Sequence, residues 1–147
     1  MPYAVDFYWE GYTPEEKVKG KLNLTTNIIT KSKKVGDNIR MNIEAENTDS
    51  KPTGMITSII GIPSGAALQV WQLKELVEKK EIDFYEISEN FLVIYWRSFD
   101  RFEKKNISID LKAEVPGSYT APASAIYPYY GEEYKHWIRG TRIEIEK

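Results

Sequence analysis

Gly61-Ile62-Pro63-Ser64-Gly65-Ala66-Ala67-Leu68-Gln69-Val70-Trp71-Gln72-Leu73-Lys74-Glu75-Leu76-Val77-Glu78-Lys79-Lys80-Glu81-Ile82-Asp83-Phe84-Tyr85-Glu86 is the one stretch of the chain with a helical pattern. Val70, Leu73, Leu76 and Val77 recur at spacings of three and four, which gathers them on one face. Lys74, Glu75, Glu78 and Lys79 fall elsewhere and are expected to face water. Pro63 and Gly65 break the preceding strand before the helix starts. A helix of about a dozen residues is marginal alone in water, so it needs a surface to lie on. Burying Leu73, Leu76 and Val77 is worth about 1.5–3 kcal/mol each. The pairs Lys74/Glu78 and Glu75/Lys79 are worth only about 0.3–0.5 kcal/mol each. Packing therefore decides the helix, and the expected surface is a sheet.

Outside this stretch the sequence alternates like strands. Tyr3, Val5, Phe7 and Trp9 alternate with Ala4, Asp6, Tyr8 and Glu10, and a charged break follows at Thr13 to Lys17. Leu22 to Ile28 forms a second strand, and Lys31 to Asp37 a turn. Ile39, Met41, Ile43 and Ala45 alternate with polar partners in the clearest strand of the chain. Asn47 to Gly54 is a loop. Met55 to Ile62 is more continuously apolar, as expected of a strand covered on both faces. After the helix, Phe84 to Ile87 and Phe91 to Trp96 flank Ser88-Glu89-Asn90 as a hairpin. Ser98 to Asn106 reads as a polar loop, Ile107 to Ala113 as a strand and Val115 to Ser118 as a turn. Pro122 to Tyr130 reads as a strand, Gly131 to Gly140 as a loop, and Ile143 with Ile145 as a closing strand. The expectation is a mainly β chain: an antiparallel β-sandwich of about nine strands, with one amphipathic helix in a crossover. Neither half has enough strands to close a core, so residues 1–147 read as one domain.

Composition narrows the function classes. With 41% hydrophobic and 29% charged residues, the chain has the make-up of a folded globular domain. A net charge of -2, with scattered basic residues, gives no nucleic-acid surface. There is no cysteine, which excludes thiolate zinc sites and disulfides. No apolar run approaches the ~18 residues of a membrane span. Met1-Pro2-Tyr3-Ala4 is not a signal peptide, so an exported parent has lost its leader here.

Residues that carry chemistry are scarce. His136 is the one histidine and reads as a solvent-exposed loop residue, too little for a Ser/His/Asp or Cys/His nucleophile system. The carboxylate pairs Glu15/Glu16 and Glu132/Glu133 read as solvated, without a calcium-loop pattern around them. The expectation is no catalytic residue, no cofactor and no metal. Trp71, Trp96, Trp137, Tyr127, Tyr129 and Tyr130 either fill the core and the helix–sheet seam or line a sugar platform. Asn23-Leu24-Thr25 and Asn106-Ile107-Ser108 match the glycosylation sequon, which matters only in a eukaryotic secretory pathway.

From about Gly54 to Ile145 the chain resembles the C-terminal receptor-binding domain of the α2-macroglobulin family of protease-trapping proteins. The resemblance rests on an ordered series. Met55 to Ile62 leads into Pro63-Ser64-Gly65 and the helix, followed by Asp83-Phe84-Tyr85-Glu86 and Phe91 to Arg97. Ile107 to Glu114, Val115-Pro116-Gly117, Thr120-Ala121-Pro122-Ala123-Ser124 and Tyr127-Pro128-Tyr129-Tyr130 complete it. Gln72-Leu73-Lys74-Glu75-Leu76 and the ending are most similar to the bacterial branch. Residues 1–53 would add strands to the same sandwich.

The resemblance implies a non-catalytic interaction domain of a protease inhibitor. It would dock on neighbouring domains of its parent chain and be exposed after a protease is trapped, meeting that protease only indirectly. It also implies an exported parent, periplasmic or at the cell surface. In vertebrate members the helix carries two lysines four apart that receptors recognise. Lys74 fits the second position but Val70 occupies the first, which puts that uptake in doubt. The possible interaction surface is Lys74, Glu78, Lys79 and Lys80. The Cys-Gly-Glu-Gln thioester segment is absent, as expected of this domain. The alternative reading is a carbohydrate-binding sandwich using exposed aromatics.

Overall fold

The computed structural model describes residues 22–29, 32–129 and 136–147. The expected first strand at Tyr3 to Trp9, the carboxylate pairs Glu15/Glu16 and Glu132/Glu133, and Tyr130 lie outside them. The elements run β1 (Leu22–Ile28), β2 (Ser32–Lys34), β3 (Asn38–Asn47), β4 (Ile56–Gly61), β5 (Ala66–Ala67), α1 (Val70–Glu78) and β6 (Phe84–Ser88). They continue with β7 (Phe91–Trp96), β8 (Lys104–Ala113), β9 (Gly117–Thr120), β10 (Ser124–Pro128), β11 (His136–Ile138) and β12 (Arg142–Glu146).

Two sheets make the sandwich. One has the order β1-β3-β8-β5, the other β11-β10-β4-β7-β6, and α1 lies in the crossover from β5 in the first to β6 in the second. Every pairing within these two sheets is antiparallel. A small third sheet, β9-β12-β2, contains one parallel pair, β12 with β2.

The period-two pattern of β3 emerges as strict alternation of burial: Ile39, Met41, Ile43 and Ala45 turn inward. Across the gap Ile56, Ile60, Leu92, Ile94 and Trp96 complete one hydrophobic cluster with them. β4 is covered on both faces, as its continuous apolar run predicts. Its last residue, Gly61, leaves no room for a Cβ because the Pro122 carbonyl lies against it.

Four local expectations are corrected. Twelve strands, not about nine, appear among the described residues; the additions are two- to four-residue pieces such as β2, β5 and β9, too short to show periodicity. Part of the expected loop at Ser98 to Asn106 is ordered around Phe99, fully buried edge-on to Trp96 at 5.3 Å, and β8 begins at Lys104. Asn47 holds this segment: its buried amide donates to the Lys51 and Asp100 carbonyls, both at 3.0 Å. His136 lies in a strand, half-buried and paired in register with Ile126, rather than in an exposed loop.

The fourth correction concerns the helix. It spans nine residues rather than about a dozen. Leu73 and Leu76 are buried and Val77 is packed partly against the core, but Val70 at the first turn is 43% exposed. Glu75 and Lys79 approach to 3.7 Å, whereas the Lys74/Glu78 pair does not form.

Candidate functional site

Helix α1 is fastened to the sheet edge by two glutamines. β5 pairs with β8 only at Lys112 and Ala113, leaving the next backbone groups of β8 without a strand partner. Gln69 donates its side-chain amide to the Asp110 carbonyl at 2.8 Å, and the Gln72 amide oxygen accepts from the Asp110 N–H at 2.7 Å. These two side chains continue the ladder that β5 begins, meeting the requirement that a covered backbone edge be paired.

The Asp110 carboxylate is held from the neighbouring strand. Arg40 donates to both of its oxygens, at 2.9 and 3.1 Å. That guanidinium keeps the carboxyl below the usual aspartate range, against a smaller opposing effect of burial.

The helix ends in a Schellman motif. Lys80 donates its N–H to the Val77 carbonyl and Glu81 to the Leu76 carbonyl, at 3.0 and 2.9 Å. Lys80 takes the left-handed conformation with φ 62°, where glycine is the usual choice. Ile82 then plugs the core, and the Trp96 indole donates to the Glu81 carbonyl at 2.9 Å, locking the helix exit onto the sheet.

With one side fixed in this way, the other side of α1 faces water. Lys74, Glu78, Lys79 and Lys80 are all exposed. Trp71, 61% exposed, stands one turn before Lys74. Its indole donates to Gln69 at 3.3 Å, the glutamine that also holds β8. The surface is thus an apolar ring beside charges of both signs. The sequence pattern did not single out Trp71 for this face. Its placement one residue after Val70, on the side opposite Leu73 and Leu76, was the available signal.

The tryptophans separate, whereas Tyr127 and Tyr95 flank Thr57 from the two neighbouring strands. Trp96 belongs to the core and Trp137 is half-buried in β11, so a platform built on Trp71, Trp96 and Trp137 does not assemble. Among the described residues, no group of three or more His, Asp or Glu side chains is placed to hold a metal ion. No helix among them is long and apolar enough to cross a membrane.

The model of the A-macroglobulin receptor binding domain family matches residues 51–137. No curated protein matches the chain. Among solved structures, Salmonella α2-macroglobulin reacted with methylamine aligns with a TM-score of 0.73 and 12% identity, over 95% of this chain and 10% of that one. Trypsin-activated α2-macroglobulin from Escherichia coli aligns with a TM-score of 0.69 and 13% identity, over 88% of this chain and 11% of that one. A fragment of the native Escherichia coli protein, extending to its C-terminus, gives 0.70 and 13%, over 88% of this chain and 24% of the fragment. At these identities the likeness is one of fold, and the chain spans only a small part of each.

Proposed function

The chain belongs to the A-macroglobulin receptor binding domain family, and from this we propose that it is the C-terminal interaction domain of a bacterial α2-macroglobulin-like protease inhibitor. In this reading it is non-catalytic and works as one domain, residues 1–53 adding strands to the sandwich. It docks on neighbouring domains of its parent chain and is uncovered when a protease is trapped. The parent is exported, to the periplasm or the cell surface.

The observation that carries the reading is the family match over residues 51–137, on a fold that aligns with about a tenth of two much longer α2-macroglobulins. The α1 face supports docking: Trp71, Lys74, Glu78, Lys79 and Lys80 are all exposed, on a helix whose opposite side is pinned by Gln69, Gln72 and Leu73. Val70 is at the surface but uncharged, so the face presents no lysine pair four apart. Two of the indoles of Trp71, Trp96 and Trp137 lying coplanar on an open face would have favoured sugar binding. Burial of Trp96 removes one of the three indoles that reading relied on.

The test uses the full-length parent polypeptide, before and after cleavage by trypsin. Amine-reactive labelling read by mass spectrometry should show Lys74, Lys79 and Lys80 protected in the uncut protein and reactive after cleavage. Equal labelling in both states would sink the docking-and-release reading.

A further inference from the structure

The open edge of β6 is unlike the other sheet edges. β5 and β11 are two and three residues long, too short to accept a partner. β1 is longer, but its outward side chains are Asn23, Thr25 and Asn27, all polar. β6 pairs with β7 on one side, and among the described residues no backbone bond from Phe84–Ser88 reaches any other element. In an antiparallel strand, alternate residues turn both their N–H and C=O groups toward the free side. Among the described residues the edge therefore presents unpaired backbone groups over five residues, with Phe84 at 57% and Ile87 at 48% exposure. It has no proline and no lysine, the usual blocks against strand addition.

Within the β6–β7 hairpin the charge has one sign, with Lys79, Lys80 and Arg97 just beyond its ends. From Glu81 to Trp96 the chain carries Glu81, Asp83, Glu86 and Glu89, and no Lys or Arg. That pattern selects the occupant. Antiparallel pairing of β6 with a second copy, centred on the strand, sets Glu86 against Glu86, and like charges directly opposite are destabilising. An incoming strand with cations at those positions gains where the second copy loses.

We propose that the β6 edge is a strand-addition site for an extended segment of a partner protein, with apolar residues at alternate positions and Lys or Arg between them. Backbone pairing supplies the affinity and the acidic flank the selectivity. Glu86 shares one face of β6 with Phe84, so when the cations of the incoming strand meet Glu86 its apolar side chains fall on the other face, beside Tyr85 and Ile87. The site uses none of the α1 residues, so its failure would leave the proposed docking of α1 untouched.

The experiment titrates the isotope-labelled 147-residue chain with the capped peptide Lys-Val-Lys-Val-Lys-Val. Amide shifts and slowed exchange should concentrate in Phe84–Ser88. A peptide with Glu in place of Lys should bind at least about tenfold more weakly, and Glu86→Lys or Glu89→Lys should each cost the original peptide about fivefold. Glu89→Lys leaves the Tyr95–Glu86 hydrogen bond in place, so a weakened complex there reports charge rather than lost packing. Absence of binding, perturbations centred on α1 or β1, or indifference to these charge changes would overturn the proposal. Undiminished binding by a peptide N-methylated at alternate residues would do the same. So would a concentration-dependent dimer abolished by Glu86→Lys, because it makes the occupant a second copy.

Discussion

The helix–sheet seam is open to a direct test, because Leu73 and Val70 share a helix but not an environment. Leu73 is 1% exposed and Val70 43%. Leu73→Ala removes three buried carbons, about 2.4 kcal/mol at about 0.8 per methylene. The cavity left between α1 and the sheets brings the expected loss to about 3–5 kcal/mol. For a chain of this size that lowers the melting midpoint by roughly 10 °C. Val70→Ala should cost about 0.5 kcal/mol or less, the usual range for a surface position. Urea unfolding, followed by far-UV circular dichroism and by tryptophan fluorescence, measures both. A loss under about 1 kcal/mol for Leu73→Ala, or equal losses for the two variants, would show that the helix does not depend on this contact. Leu73→Asp should be worse than alanine, because it strands a charge in the seam without a partner.

Lys80→Gly should raise stability by about 1 kcal/mol, since Lys80 holds φ 62° at the helix end; an unchanged urea midpoint argues against that. Gly61→Ala should cost about 1–3 kcal/mol, because the new methyl meets the Pro122 backbone, and a neutral melt would contradict the close approach. The Tyr95 hydroxyl donates to Glu86 at 2.6 Å, and that bond, with burial, pushes its pKa up to about 12. Because the folded value is raised, the associated stability is complete below the unfolded value of 10.0 and disappears as pH climbs through about 12. Glu86→Gln should bring the Tyr95 titration back toward 10.0, read by carbon NMR of the phenol ring; a titration still near 12 refutes the cause. Asp110 has the opposite sign. Arg40 depresses its pKa, so the pair stabilises above the ordinary value of 3.8 and its contribution fades as pH falls through the lower folded value. Arg40→Ala should raise the Asp110 pKa toward its ordinary value. An Asp110 titration unmoved by Arg40→Ala would assign the shift elsewhere.

The mainly β class, the position of the helix and most long strands are legible in the residue pattern alone. Each of these buries one face, and burial writes a period of two or 3.6 into the chain, as in β3 and at Leu73 and Leu76. The ordered run from Met55 to Tyr130 also sufficed for the family resemblance. Tertiary structure alone decided what had no period. β2, β5 and β9 are too short to carry one and exist because a neighbouring strand offers its edge. Phe99 stands in a polar run and is buried against Trp96, its backbone bonded to the distant Thr53. Gln69 and Gln72 look like surface residues until β8 supplies an unpaired Asp110 backbone for them to bind. The face of α1 and the bare edge of β6 were hidden for the same reason. Whether a side chain or a backbone group is free depends on which distant segments arrive beside it, and local pattern does not record those arrivals.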